Sequence, residues 1–322
     1  MNKSDSKTQP PATAPSTRTS RVVVAMLVAT LFLALAWADA TGLGGSLPAW
    51  WLLPIAILLA VGGIDELVRL FALRNLLLPG WLLRIGAIAI PLAAAFGSQA
   101  IGVGANPSAA SPVVALGWAL VAFTAAMASL FLHEILCYRE ESRAIERLSA
   151  GVLGLAFIGL PLAFIVGLRL LYVAKHGSGQ TALNAAGIIP LVSLVAVVKV
   201  GDIAAYSVGS LVGRHRLVPI LSPGKTWEGA AASLAGSLVA AWLVLEGLGW
   251  DSPWQPLGGW ITFGFVVGVA GMCGDLAESL FKRELRAKDS GRSLGGLGGV
   301  LDLIDSLLLA APVAWFLWVQ GT

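Results

Sequence analysis

Apolar residues in this 322-residue chain do not alternate; they run together in long blocks. The blocks fall at about 22–38, 48–64, 81–101, 112–133, 148–168, 186–206, 229–249, 258–280 and 300–319, separated by short polar segments. A helix needs about 20 consecutive apolar residues to cross a bilayer core. The pattern therefore predicts an all-α, polytopic integral membrane protein with about nine transmembrane helices. The second block is short, and the sixth and eighth contain charge.

The polar segments orient the blocks. Short cytoplasmic loops collect Lys and Arg. With the N-terminus cytoplasmic, 18 of the 21 basic residues fall in cytoplasmic segments. Arg169 and Lys175 fall outside them, and Lys199 lies within a span. Composition agrees: 57% of residues are hydrophobic, only 12% are charged, and mean hydropathy is +0.82. The net charge of +3 says little, because its distribution follows the helix ends. That placement argues against a nucleic-acid partner. Cys137 and Cys273 show no CxxC or zinc spacing and read as small buried apolar residues.

Residues 1–20 are rich in Ser, Thr, Pro and Lys and form a disordered tail by composition. The first span ends Ala38-Asp39-Ala40, which fits a small-x-small cleavage site; a retained helix is the favoured reading. Residues 21–185 read as a transmembrane scaffold half. Its charges fall in loops: Asp65, Glu66, Arg69 and Arg74, then Glu134 to Arg147, the latter read as a short amphipathic cytoplasmic helix. Residues 186–322 read as the catalytic half. There Lys199, Asp202, Asp275, Glu278, Asp302 and Asp305 lie in or at the ends of spans, and intramembrane charges mark functional sites.

Three motifs carry the chemistry. The first runs from Gly201-Asp202 through Tyr206, an interfacial anchor, to Gly213-Arg214-His215. It continues as Ser222-Pro223-Gly224-Lys225-Thr226-Trp227-Glu228-Gly229. Lys225 and Thr226 precede a helix, whose N-terminal N–H groups and partial positive charge suit phosphate; the P-loop spacing is absent. In the second, Asp275, Glu278 and Lys282 recur at i, i+3 and i+7 on one helix face. Asp275 can bind metal there, and Glu278 is either a functional group or only a partner of Lys282. The third holds Lys288-Asp289 and then Gly298-Gly299-Val300-Leu301-Asp302-Leu303-Ile304-Asp305. Two carboxylates on one helix face need a cation or a proton between them, and Mg2+ takes one or two carboxylates plus phosphate and water.

Together these motifs resemble the phosphatidate cytidylyltransferases, or CDP-diglyceride synthases, over residues 199–306. The family's Asp…AlaTyr…Gly…Gly-basic-His, SerPro-x-LysThr-x-GluGly, GlyAspLeu-x-GluSer and Ser-x-x-LysArg…LysAsp stretches occur in order. The chain departs from the pattern at Leu297, where the family has His, and at Leu303, where it has Arg. The resemblance implies transfer of a cytidylyl group from CTP to phosphatidate in the cell (inner) membrane. It implies Mg2+ on Asp275, Asp302 and Asp305, with Asp202 close by. Ser222, Lys225, Thr226, Glu228, Ser279, Lys282, Arg283, Lys288 and Asp289 would serve the substrates. A second, monovalent cation and a homodimer stay open. So do another lipid phosphate as acceptor, a catalytically impaired relative and a polytopic transporter.

Overall fold

The structure is a computed structural model. It describes residues 51–100, 112–139, 143–176, 187–247, 258–287 and 298–321, with scattered residues between 30 and 41 and at 253 and 255. The N-terminal tail, Asp39 and Ala40 of the candidate cleavage junction, and Lys288, Asp289, Arg292 and Leu297 lie outside the described residues.

Lipid offers no hydrogen bonds, so apolar blocks satisfy their backbones internally as helices. They form α1 (Leu52–Ala72), α2 (Gly80–Ala100), α3 (Pro112–Leu136) and α4 (Ala144–Gly154). A π-helical turn, Leu155–Gly159, carries α4 into α5 (Leu160–His176). Next come α6 (Ile189–Val212) and a two-stranded antiparallel hairpin, β1 (Arg216–Val218) and β2 (Ser222–Thr226). Then follow α7 (Trp227–Ala241, extended by a π turn to Glu246), α8 (Trp260–Glu284) and α9 (Val300–Gly321). Among the described residues, six helical segments are long and apolar enough to cross a membrane. α1 is 21 residues long and carries Asp65, Glu66 and Arg69. The apolar described part of α2, Gly80–Phe96, is shorter. The protein is a multi-pass, all-α membrane protein.

The α4–α5 rod is the most enclosed segment and α3 the least. α9 packs against α8, α6, α5 and α1, while α6 lies along α7. One apolar core joins Leu155, Ile158 and Leu168 to Leu194, Val197, Leu301 and Leu308. Small residues let the second-half helices approach closely. A Cβ on Gly236 would sit 2.8 Å from that of Ala204. A Cβ on Gly274 of α8 would collide with the Asp305 carbonyl oxygen and lie 3.1 Å from Ser306 Cα on α9. Overpacking of this kind costs about 1–3 kcal/mol. Gly274→Ala is therefore expected to lower the thermal unfolding midpoint in detergent by several degrees. An unchanged midpoint would mean that α8 and α9 do not touch there.

Three expectations are corrected. Asp65, Glu66 and Arg69 lie inside α1 rather than in a loop. The helix continues through them because the charges find partners: Asp65 accepts from Arg84 Nε at 2.6 Å, and Glu66 binds the start of α9. The Glu134–Arg147 stretch is two helix ends, not one amphipathic helix. Glu134, on the last turns of α3, is buried and accepts from Arg147 Nε of α4 at 2.9 Å. Cys137 and Cys273 are both exposed. α8 turns Gly271 and Gly274 towards its neighbours, which points Cys273 outward.

Candidate active site

Five second-half elements, α6, the hairpin, α7, α8 and α9, line a cavity of about 750 Å³, α7 through Gly229, Ala230 and Ser233. α6 contributes Lys199, Asp202 and Tyr206; the hairpin contributes Arg216, Ser222, Lys225 and Thr226. α8 adds Asp275, Glu278 and Lys282, and α9 adds Asp302 and Asp305.

Local geometry follows from the sequence around each group. Thr226 has an extended backbone and caps α7, accepting from the Gly229 N–H at 3.1 Å. This fixes Lys225, one residue earlier, in the cavity lining, where its Nζ lies 2.9 Å from Asp275 Oδ2. On α8 the i, i+3, i+7 spacing puts Asp275, Glu278 and Lys282 on one face. Lys282 Nζ pairs with Glu278 Oε1 at 2.9 Å and also with Asp302 across the cavity. Gly298 has φ +93°, a conformation that favours glycine, and turns the chain tightly into α9. Asp302 Oδ2 then accepts from the Gly299 N–H at 2.7 Å.

On another side of the cavity a polar knot joins α6 to α9. Lys199 Nζ donates to Ser306 Oγ at 2.9 Å and to the Leu303 carbonyl at 3.1 Å, and it lies 3.3 Å from Asp202 Oδ2. Ser306 Oγ in turn donates to Asp202 Oδ2 at 2.9 Å. The Leu303 side chain packs against the core, so this position supplies a backbone acceptor and no cation.

Asp275, Glu278 and Asp305 each offer a carboxylate oxygen within 4.8 Å of the others. Glu278 and Asp305 are buried. Asp302, one turn before Asp305, flanks this group and anchors Lys282. Among the described residues the lining holds the carboxyl groups of Asp202, Asp275, Glu278, Asp302 and Asp305 beside Lys199, Arg216, Lys225 and Lys282. An all-oxygen donor set of this kind suits a hard divalent ion such as Mg2+.

Of the residues singled out in the sequence, Asp202, Ser222, Lys225, Thr226, Asp275, Lys282, Asp302 and Asp305 line the cavity. Glu228, Ser279 and Arg283 do not. Glu228 Oε1 lies 2.7 Å from His215 Nδ1, and Arg283 Nε donates to the Leu221 carbonyl at 3.1 Å, tying α8 to the hairpin turn. Ser279 sits half-buried on α8. Arg216, which the motifs did not single out, also lines the cavity. Ser306 and Glu66 were missed; their partners lie 104 and more than 230 residues away.

Fold and site together define a multi-pass membrane protein with a lysine- and carboxylate-lined cavity at its helix ends. The cytidylyltransferase family pattern matches residues 19–320, and the chain belongs to that family. It is 44% identical over 133 residues to the phosphatidate cytidylyltransferase of Brucella suis biovar 1 (strain 1330), covering 40% of this chain and 46% of that protein. It is 37% identical over 174 residues to the enzyme of that name from Mycobacterium leprae (strain TN), covering 54% and 50%. With the enzyme of that name from Mycobacterium bovis (strain ATCC BAA-935 / AF2122/97) it shares 37% over 158 residues, covering 49% and 47%. The chain spans about half the length of the curated relatives it matches.

Proposed function

We propose that this protein transfers a cytidylyl group from CTP to phosphatidate, giving CDP-diacylglycerol and pyrophosphate, at the cytoplasmic face of the cell (inner) membrane. The observation that carries the reading is the cavity where Lys225 and Lys282 face Asp275, Glu278, Asp302 and Asp305. Family membership and the phosphatidate cytidylyltransferases among the relatives support it.

In this reaction a lipid-phosphate oxygen attacks the α-phosphorus of CTP. A bond forms between them, the bridge from α- to β-phosphorus breaks, and pyrophosphate leaves with the electron pair. The attacking oxygen is already anionic, so no serine or cysteine nucleophile is required. Catalysis rests on positioning and on charge placed in advance. Asp275, Glu278 and Asp305 would hold Mg2+, with Asp302 and Asp202 as neighbouring carboxylates; such an ion would supply positive charge to the phosphate oxygens. Lys225, Lys282 and Arg216 receive the triphosphate, and the Ser222 and Thr226 hydroxyls lie beside it. Thr226 and the hairpin keep Lys225 in the cavity lining, and Asp302 keeps Lys282 across from it. The scaffold role of residues 21–185 and the catalytic role of 186–322 belong to the same proposal.

The test is the purified protein in lipid nanodiscs with CTP, Mg2+ and a panel of lipid phosphates. Phosphatidate is expected to be consumed with release of pyrophosphate, and removal of Mg2+ by chelation is expected to stop it. Turnover confined to an isoprenoid or ether-linked phosphate would move the activity to another acceptor, a shift that Leu303 in place of arginine would favour. No turnover on any member of the panel would reject the reading.

A further inference from the structure

The carboxylates of α9 can work with those of α8 only if α9 starts at the right depth and angle. Its own first turn secures only part of that, through Asp302 accepting from the Gly299 N–H. The initial N–H groups of a helix have no intrahelical partners, and the turn before α9 is made by glycines.

The partners come from the other half of the chain. Glu66 of α1 is 1% exposed. Its Oε1 accepts from the Val300 N–H at 2.8 Å and its Oε2 from the Leu301 N–H at 2.9 Å. A bidentate carboxylate on two consecutive backbone N–H groups, at the positive end of a helix, is a strong and directional contact. The approach is close: one turn earlier on α1, a Cβ on Gly62 would sit 2.9 Å from Val300 Cγ2. Asp302 and Asp305 follow Leu301 by one and four residues, within the first turns that Glu66 pins.

From this we infer that Glu66 is a positioning residue, which sets α9 so that Asp305 meets Asp275 and Glu278 and Asp302 meets Lys282. It touches no substrate and acts through the backbone of α9. The inference rests on the proposed placement of the divalent cation. It also gives the first half a part in the chemistry that its lack of cavity-lining residues would conceal.

The experiment uses the full chain in nanodiscs, as wild type, Glu66→Gln and Glu66→Ala. Mn2+ affinity is measured by electron paramagnetic resonance without substrates, and amide hydrogen exchange is followed over residues 298–306. Losing an outer-shell partner of a metal site typically weakens binding by about 10–100-fold. Glu66→Ala is expected to bind Mn2+ at least about tenfold more weakly and to exchange faster at 298–306, with α6 unaffected. Glu66→Gln, which keeps one acceptor oxygen, is expected to fall between. With CTP and lipid phosphate, kcat should fall while KM for CTP changes little. Faster exchange with wild-type Mn2+ affinity would make Glu66 an ordinary helix cap and overturn the inference. Unchanged exchange, or a wild type that binds no Mn2+, would overturn it too. A wild type that binds Mn2+ with this dependence on Glu66, yet transfers nothing from CTP, would sink the proposed activity and leave Glu66 in its role.

Discussion

Asp305→Asn is expected to lower turnover by about 10²–10³-fold, the scale of losing one preorganised electrostatic group in an active site, without unfolding the protein. Asparagine has nearly the same shape, and its carbonyl oxygen can still accept from the Ser306 N–H that Asp305 Oδ1 binds. What it cannot supply is charge. Asp305 is buried, and with Asp275 and Glu278 it forms the one carboxylate group among the described residues whose oxygens converge within 4.8 Å. Removing a negative charge there would weaken the hold on the proposed divalent cation and leave Lys225 and Lys282 with less to balance them. Asp275→Asn is expected to act alike, and it also loses the ion pair to Lys225 at 2.9 Å. Steady-state turnover across a Mg2+ titration checks both. The expected signature is a large fall in kcat with a raised Mg2+ requirement and an intact unfolding midpoint. Near-normal turnover at unchanged Mg2+ dependence would remove the cation from this place.

Lys282→Ala has the second large effect, and here binding and stability both suffer. The Lys282 ammonium lies between Glu278 and Asp302, on two different helices, and its side chain is 17% exposed. Truncation leaves two carboxylates facing each other with the shared cation gone. Breaking a buried pair in this way costs several kcal/mol; at this partial exposure the lower part of that range is expected. If Lys282 receives the triphosphate as proposed, the apparent CTP requirement should also rise more than the lipid requirement. Lys282→Arg should recover the charge and part of the activity. Its planar fork fits the two carboxylates differently from an ammonium, so recovery should be incomplete. Measuring KM for CTP and for lipid phosphate separately decides the matter. A change confined to the lipid parameter would mean that the two substrates are placed the wrong way round.

Much of the site could be read before folding because its chemistry is unusual for its surroundings. Charges inside apolar blocks announce themselves. Helical spacing alone puts Asp275, Glu278 and Lys282 on one face and Asp302 beside Asp305. The cap at Thr226 is likewise local. What could not be read is which distant group each charge meets. Asp302 looks in the sequence like a metal ligand paired with Asp305; in the fold it anchors Lys282 and flanks a group completed by Glu278. Glu66 looks like loop charge, because nothing near it in the chain indicates the start of a helix more than 230 residues later. Glu134 and Arg147 read as one helix face, and they close a turn between two helices instead. In each case the helix is encoded locally and the partner is set by packing. The Lys288-Asp289 step and Leu297 fall outside the described residues, so their parts remain proposals from the motif alone.

The reaction itself is tested most directly by following two labels at once. Purified protein in nanodiscs containing phosphatidate would be given Mg2+ with CTP labelled either at the α- or at the γ-phosphorus. Cytidylyl transfer predicts that the α-label enters the lipid phase mole for mole with phosphatidate consumed, and that all the γ-label leaves as pyrophosphate. Asp305→Asn should abolish both. Entry of the γ-label into lipid would mean phosphoryl transfer, and retention of both labels in the aqueous phase would mean no transfer to lipid; either result would contradict a cytidylyltransferase built on this cavity.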